Sequence, residues 1–253
     1  MDQTQIVAGL FQAGASFPKA LAEFHWSLAQ NPEFWRQAVL YCDRDTWPHV
    51  EPVAHRFREV IPDHELPPHV DRQRKWACKA WWPVRALERF PRILYCDFDI
   101  LVRRLPDTGL EARLVSGPMF LYMPNYASAQ KGVGCGVVFY DRATDMRRFA
   151  DLVYSKWNCD ERAWTEALSM SREKLLASDR HLNPWIVDYT WLLKHPAERG
   201  NPYLVHGISS VDDGYNRLLR IGYAPSEIGF HQTGGQRLRS FAMRLLSRIR
   251  RSP

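Results

Sequence analysis

The chain has 253 residues, of which 45% are hydrophobic and 25% are charged, as expected of a globular protein with one large domain or two small ones. Its five cysteines form no Cys-x-x-Cys pair, which argues against a disulfide framework or a zinc site and favours a reducing compartment. The sequence shows neither the segments of a signal peptide nor an apolar run near the ~18 residues of a membrane span, so we expect a soluble or peripheral protein.

The first half of the chain alternates between apolar, strand-like runs and segments of helical composition. This alternation predicts an α/β fold with a mainly parallel central sheet. In chain order, the pattern predicts a strand at 5–12, a helix at 17–29, a strand at 38–42, a helix near 50–58 that runs into 59–61, a loop at 62–68, a helix at 75–89 and a strand at 92–96.

The second half is less regular. The pattern predicts short strands at 114–116, 120–123 and 137–140, helices at 145–156 and 161–174, and short strand and loop pieces from 186 to 230. We expect one domain over residues 1–237, followed by a helix over residues 238–253.

The segment from Arg237 to Pro253, which contains that helix, carries the whole excess of positive charge. The net charge is +6, and six arginines with no acidic residue lie between Arg237 and Pro253. A basic amphipathic helix is typical of a membrane-surface element, because anionic lipid attracts each basic residue by ~1 kcal/mol. The alternative is that its apolar stripe packs on the protein itself; nucleic-acid binding is disfavoured, because no basic-aromatic module occurs elsewhere. We therefore expect a cytoplasmic protein on the inner face of a membrane. The apolar stripe consists of Leu238, Phe241, Ala242, Leu245, Leu246 and Ile249.

The most informative segment is the predicted strand that ends in Asp97 and Asp99. Carboxylates at the carboxyl end of a strand lie where open α/β sheets bind ligands. Side chains at i and i+2 of an extended segment point the same way, so both carboxylates can face one cation. Mg²⁺ or Mn²⁺ is commonly held by one or two carboxylates together with substrate phosphates. A solvated strand end is the alternative interpretation.

Other segments gain meaning from their order along the chain. Gly132, Gly134 and Gly136 form a small-residue turn that permits close approach of a ligand. Asp160 opens a predicted helix, where aspartate is also a common cap. Residues 230–237 place a histidine, two glycines and an arginine in one loop, a set that suits a metal and phosphate.

Taken in order, these segments resemble the GT-A-fold glycosyltransferases that use nucleotide sugars, most closely glycosyltransferase family eight, over about residues 5–237. In that family a helix with a lysine precedes a strand that ends in Asp-x-Asp, and Lys79 and residues 94–99 match these two elements. An Asn-Ser-Gly-Val turn and strand follow, and residues 134–137 match them.

Three further family elements have counterparts in the second half. An Asp-Gln pair that opens a helix is matched by Asp160 and Glu161. A Pro-x-x-Trp-Asn element is matched loosely by residues 212–216. The final His-x-x-Gly-x-x-Lys is matched by His231, Gly234 and Arg237.

The chain departs from the family at several of these positions. Gly134 and Cys135 replace the Asn-Ser pair that helps to handle the donor or acceptor sugar. Glu161 replaces glutamine and places a second carboxylate beside Asp160. Arg237 replaces lysine, which keeps the cation and adds a bidentate fork for phosphate.

The resemblance implies a metal-dependent glycosyltransferase that moves a sugar from a nucleotide sugar, with uridine as the base, to a glycan or glycolipid acceptor. Asp97, Asp99 and His231 would hold Mn²⁺ or Mg²⁺ against the diphosphate. The two aspartates and Asp160 are the catalytic candidates. Asp160 would contact the transferred sugar near its reactive carbon, and the family retains the anomeric configuration.

The resemblance also implies a donor-binding set around the metal. Lys79 and Arg237, with Gly234 between the loop's histidine and arginine, would contact the phosphates. The loop from Phe11 to Gly14 and Asp43, each after a predicted strand, would line the base and ribose pocket.

Two other functional classes remain open from the sequence. A phosphohydrolase of the haloacid-dehalogenase type also has an apolar strand followed by Asp-x-Asp, but its downstream Gly-Asp-x-x-x-Asp does not occur here. A non-catalytic, membrane-docked binder of sugar nucleotides would account for the departures at Gly134, Cys135 and Glu161.

Overall fold

The computed structural model describes residues 4–12, 14–62, 75–114, 119–121, 134–142, 144–156, 160–168, 185–209 and 214–223. The predicted terminal helix over 238–253 lies outside these residues. So do His231, Gly234 and Arg237, which the sequence places in the candidate site.

The described residues form nine β-strands in two sheets. Five of the strands overlap strands predicted from apolar runs in the sequence, namely β1, β2, β4, β6 and β7. In chain order the strands are β1 Gln5–Leu10, β2 Ala38–Cys42, β3 Glu59–Pro62, β4 Arg92–Cys96, β5 Ile100–Val102, β6 Met119–Leu121, β7 Gly134–Asp141, β8 Ile186–Asp188 and β9 Leu204–His206.

Helices connect these strands, and aspartate caps three of them through side-chain oxygens that accept a backbone N–H bond. Within the described residues, no helix is both long enough and apolar enough to cross a membrane. The helices are α1 Phe17–Gln30, α2 Pro32–Trp35, α3 Trp47–Val50, α4 Lys75–Arg89, α5 Thr108–Glu111, α6 Met146–Ser155, α7 Asp160–Ala167, α8 Tyr189–Lys194 and α9 Gly214–Arg220, with 3-10 turns at Gly14–Ser16, Glu51–Arg56 and Pro196–Gly200.

The larger sheet has six strands in the order β3-β2-β1-β4-β7-β6. Strands β3, β2, β1 and β4 run parallel, whereas β7 lies antiparallel to both β4 and β6. The predicted α/β fold with a mainly parallel central sheet is therefore confirmed. The parallel strands read as continuous apolar runs because helices cover both faces of the sheet.

Alternate residues of the central strands supply two separate cores. Leu40, Leu94 and Phe139 face one cluster, in which Phe24 of α1 and Trp35 of α2 are fully buried. Each such burial stabilises the fold by about 1.5–3 kcal/mol. The intervening residues face the opposite cluster, formed largely by α4, α6 and α7; among them are Val39, Ile93 and Val138, which pack with Trp82 and Trp164.

The second sheet is small and has the order β5-β9-β8. Strand β5 follows β4 after a short bend at residues 97–99, so the two sheets meet at the carboxyl end of β4. Leu101, Val187 and Val205 anchor the small sheet in a third apolar cluster. This arrangement brings distant chain segments beside the Asp-x-Asp sequence.

The predicted helices at 17–29 and 75–89 agree closely with α1 and α4, and α4 continues through Pro83. The predicted helix near 50–58 differs, because most of it is a 3-10 turn that follows the short α3. Pro52 has no backbone N–H to bond a carbonyl of α3, so α3 does not continue as a regular α-helix through residue 58.

Candidate active site

Asp97 and Asp99 lie in the bend between the two sheets. The intervening Phe98 turns its ring into the core, where it meets Phe24 edge to face at a centroid distance of 5.0 Å. The backbone N–H of Asp97 donates to the carbonyl of Gly136 at 2.7 Å, which extends the β4–β7 pairing by one residue. The two carboxylates thus project together from a well-anchored segment, as their spacing predicts.

His206 completes this group from the end of β9. Its Nε2 lies 3.3 Å from Oδ1 of Asp99, and its side chain is only 13% exposed. The antiparallel register of β5 and β9 pairs Ile100 with His206, and the N–H of Ile208 donates to the carbonyl of Asp99 at 2.9 Å. Backbone pairing therefore fixes the imidazole opposite the carboxylate.

Asp97, Asp99 and His206 form a potential metal-binding group. Each offers one ligand atom, and these atoms all lie within 4.8 Å of one another. Two carboxylate oxygens and an imidazole nitrogen are suitable donors for a divalent cation. The residues present therefore fit the Mn²⁺ or Mg²⁺ that the sequence resemblance implies. His231, the ligand that the sequence predicts, lies outside the described residues, so its role stays a prediction.

Lys79 ties α4 and α7 to the same site. Its Nζ lies 2.6 Å from Oδ2 of Asp97 and 3.4 Å from Oδ2 of Asp160, the first residue of α7. The Lys79 and Asp160 side chains are 9% and 4% exposed. Three residues that the sequence selected separately thus form one charged cluster.

The electrostatics of this cluster favour a permanent lysine cation. Burial alone would lower the pKa of Lys79, but the carboxylates of Asp97 and Asp160 hold that pKa well above its ordinary value. Burial raises the pKa of Asp97, against the opposing effect of the Lys79 ammonium group. The Lys79 ammonium group therefore offsets part of the cost of burying the charged Asp97 carboxylate.

In the Asp99–His206 pair, the pKa of the carboxyl group is lowered, whereas that of Asp97 is raised. Burial would raise the pKa of Asp99, but the neighbouring imidazole outweighs it and holds the pKa well below its usual range. Burial would lower the pKa of His206, whereas Asp99 and Asp188 raise it well above its ordinary value. The two carboxylates on either side of the ring therefore both favour the charged form of the imidazole.

Gly136 makes room for His206. A Cβ atom added at Gly136 would lie 1.9 Å from Nε2 of His206, well inside any tolerable contact. We expected this glycine-containing segment to permit close approach of a ligand. The structure shows instead that Gly136 permits close approach of the protein's own imidazole.

The residues predicted to line the nucleotide pocket lie at the same edge of the large sheet. Strand pairing sets Leu10 beside Cys42, so the loops that contain Phe11 and Asp43 begin next to each other. Phe11 is buried against Trp82, and Gly14 has φ of +49° at the start of a 3-10 turn. Asp43 is fully buried, and its Oδ1 accepts the N–H of Thr46 at 2.9 Å. Their role toward a nucleotide stays a prediction.

The sequence reasoning did not single out His206. A usable signal was present, because Leu204 and Val205 form an apolar run that ends in His-Gly, as the run before Asp97 ends in a carboxylate. The run has only three strand residues, and its alignment with β5 depends on chain pairing that local patterns do not reveal.

No protein-family model matches the sequence, and no curated protein matches it. Among solved structures, the chain is similar to a glycosyltransferase involved in glycosylation of the major capsid of PBCV-1, with 13% identity and a TM-score of 0.48 over 85% of this chain and 98% of that one. It is also similar to the bifunctional glycosyltransferase WbbM, with 10% identity and a TM-score of 0.49 over 90% of this chain and 51% of that one. A third similar structure is the galactosyltransferase LgtC in complex with donor and acceptor sugar analogs. The identity is 13% and the TM-score is 0.46, over 88% of this chain and 98% of that one.

Proposed function

We propose that this protein is a metal-dependent glycosyltransferase of the GT-A type, which uses a uridine diphosphate sugar as donor. The observation that carries the proposal is the group of Asp97, Asp99 and His206, whose ligand atoms lie within 4.8 Å of one another. This group lies at the carboxyl end of a parallel strand, where open α/β sheets bind ligands. The order of sequence motifs around it supports sugar transfer among the possible metal-dependent reactions.

The three residues would hold Mn²⁺ or Mg²⁺. When bound, the cation supplies positive charge that stabilises the departing nucleoside diphosphate. Imidazole is a softer ligand than the all-oxygen sets that Mg²⁺ prefers, so the presence of His206 favours Mn²⁺.

Lys79 and Asp160 have distinct roles in this proposal. The Lys79 ammonium group, 2.6 Å from Asp97, is a preorganised cation beside the position proposed for the diphosphate. It also keeps the buried Asp160 carboxylate paired. Asp160 would contact the transferred sugar near its reactive carbon.

The remaining parts of the proposal rest on the sequence. Phe11, Gly14 and Asp43 would line the base and ribose pocket, and Gly234 and Arg237 would contact phosphate. The acceptor would be a glycan or glycolipid at the inner face of a membrane, with retention of anomeric configuration. Residues 238–253 would supply the membrane contact, so their deletion should abolish binding to anionic vesicles.

A thermal-shift panel tests the donor class. A ligand that binds only the native state raises its apparent stability, by about 2.7 kcal/mol at a concentration one hundred times its Kd. We expect UDP-sugars to stabilise the protein in the presence of Mn²⁺ and to have little effect with chelator. Absence of any metal-dependent stabilisation across UDP-, GDP-, ADP- and CMP-sugars would contradict the proposal.

The same preparation separates the two rival functions. Release of inorganic phosphate from a phosphomonoester, without nucleotide-sugar binding, would indicate the phosphohydrolase. Tight UDP binding without donor hydrolysis, and without transfer across an acceptor panel, would indicate the non-catalytic binder. The proposal expects UDP release that depends on both Mn²⁺ and an acceptor or water.

A further inference from the structure

Asp188 lies directly behind His206, on the side away from Asp99. It is the last residue of β8, and the parallel register of β8 and β9 pairs it with His206. Its side chain is 4% exposed, and its Oδ2 lies 2.9 Å from Nδ1 of His206. The imidazole thus has one carboxylate at each ring nitrogen.

The two carboxylate oxygens of Asp188 contact different groups. Oδ1 accepts the backbone N–H of Thr190 at 2.9 Å and its hydroxyl at 2.6 Å, which caps α8. Oδ2, the other oxygen, faces Nδ1 of the imidazole. Because the cap holds Oδ1, rotation that would take Oδ2 away from Nδ1 breaks two hydrogen bonds at the start of the helix.

The backbone beside His206 is fixed independently of Asp188. Gly207 has φ of +78°, a conformation that favours glycine, and an added Cβ there would lie 2.7 Å from the ring of Tyr189. The Gly207 carbonyl accepts a hydrogen bond from Nη1 of Arg217 at 2.5 Å. These contacts fix the backbone beside His206. Which ring nitrogen carries a proton then depends on the two carboxylates that face the ring.

We propose that Asp188 is a positioning residue that selects the metal-binding tautomer of His206. A neutral imidazole carries one N–H and one lone pair, and the hydrogen bond made by one nitrogen decides the state of the other. An Nδ1–H donated to Asp188 leaves the lone pair on Nε2, toward Asp97 and Asp99. This inference rests on the proposed metal site and goes beyond it, because Asp188 contacts Nδ1 of His206 and is not one of the three proposed ligands.

Asp188→Asn is the sharpest test. The amide is isosteric and its oxygen can still accept from Thr190, but its NH₂ group then faces Nδ1 and favours an N–H on Nε2, which cannot bind a metal. Loss of such a carboxylate behind a ligating histidine weakens metal binding by about 10- to 100-fold. We expect a weakening in this range for Mn²⁺ bound to the full chain, measured by electron paramagnetic resonance of free Mn²⁺.

A spectroscopic measurement reports on the ligand itself. With ¹⁵N-histidine in the protein, pulsed electron paramagnetic resonance should detect an imidazole nitrogen bound to Mn²⁺ in the wild type. The signal should vanish in His206→Gln and in Asp188→Asn. Asp188→Ser provides a second variant, because serine still caps the helix yet lacks the second oxygen for Nδ1.

Asp107→Asn is the matched control. Asp107 also caps a helix, α5, and also accepts a side-chain hydrogen bond, from the hydroxyl of Tyr203 at 2.7 Å. It should leave the Mn²⁺ affinity and the nitrogen signal unchanged. If folded Asp188→Asn and Asp188→Ser bind Mn²⁺ as the wild type does, with the nitrogen signal intact, Asp188 only caps α8. Failure of the wild type to bind Mn²⁺ would instead contradict the metal site itself.

Discussion

Oδ1 of Asp99 and Nε2 of His206 face each other at 3.3 Å, although one residue ends the bend after β4 and the other ends β9. The pairing of β5 with β9 produces this contact, because it sets Ile100 opposite His206. A second strand pairing, of β8 with β9, places Asp188 behind the same ring. The small sheet therefore acts as a rigid support that presents an imidazole to the carboxylates of the large sheet.

Gly136→Ala should displace His206. The new methyl group would lie 1.9 Å from Nε2, so the ring or strand β7 must move. Overpacking of this kind costs about 1–3 kcal/mol. We expect a lower free energy of unfolding, measured in urea, together with weaker Mn²⁺ binding.

Gly200→Ala is the control for that substitution. An added Cβ at Gly200 meets no atom within 4 Å, so the variant should match the wild type in both stability and Mn²⁺ affinity. Unchanged Mn²⁺ affinity in Gly136→Ala would show that the position of His206 is not coupled to this glycine.

Lys79→Met should destabilise the fold. The substitution removes the cation that Asp97 and the buried Asp160 share, and removal of one partner of a buried ion pair costs 3–5 kcal/mol in general. Because the Asp97 side chain is 28% exposed, water compensates part of the loss, and we expect about 3 kcal/mol in urea denaturation.

Lys19→Met gives the comparison for an ion pair at the surface. Lys19 pairs with Glu23 at 3.6 Å on α1, and its own side chain is 51% exposed. Such pairs contribute about 0.5 kcal/mol or less. A loss in Lys79→Met no larger than the loss in Lys19→Met would refute the structural role assigned to Lys79.

The stability of the metal-free protein should depend on His206 in a defined pH window. The folded-state pKa of His206 is raised above its ordinary 6.5, so its charged form stabilises the fold fully below about pH 6.5. As pH rises, the unfolded chain loses this proton first, and the contribution falls until it is gone above the raised folded-state pKa. In chelator, the stability difference between wild type and His206→Gln should therefore shrink from pH 6 to pH 9. A difference that grows over this range would contradict the arrangement.

Asp160→Asn should separate binding from transfer. Asp160 is proposed to contact the transferred sugar, whereas the nucleotide and metal would contact other residues. We expect UDP affinity within about threefold of the wild type and a kcat lower by about 100-fold or more, as for loss of a group that stabilises developing charge. The measurement is a coupled assay of UDP release. A kcat equal to that of the wild type would remove Asp160 from the catalytic set.

Local sequence patterns were sufficient for the parts of the site that depend on a single element. The apolar run of β4 and the helical composition of α4 place Asp97, Asp99 and Lys79 with nearly correct element bounds. Their mutual contact follows from the βα order of the chain, since a helix that leads into a strand packs on it. The prediction of Asp160 at a helix start agrees with α7.

The parts that could not be predicted depend on pairing between distant strands. Strand β9 has three residues, and nothing in its composition indicates that it pairs with β5 or β8. His206 and Asp188 were therefore not recognised as members of the site. The antiparallel direction of β7 was also not evident from its apolar run, although it sets Gly136 beside Asp97.

The central claim is that Asp97, Asp99 and His206 hold a divalent cation, and a titration of Mn²⁺ into the full chain tests it most directly. Loss of a ligand should exceed the 10- to 100-fold effect known for groups behind the ligands, so Asp99→Asn should weaken binding by more than about 100-fold. Circular dichroism should confirm that the variant is folded. Folded Asp99→Asn that binds Mn²⁺ with wild-type affinity would contradict the metal site and the function proposed from it.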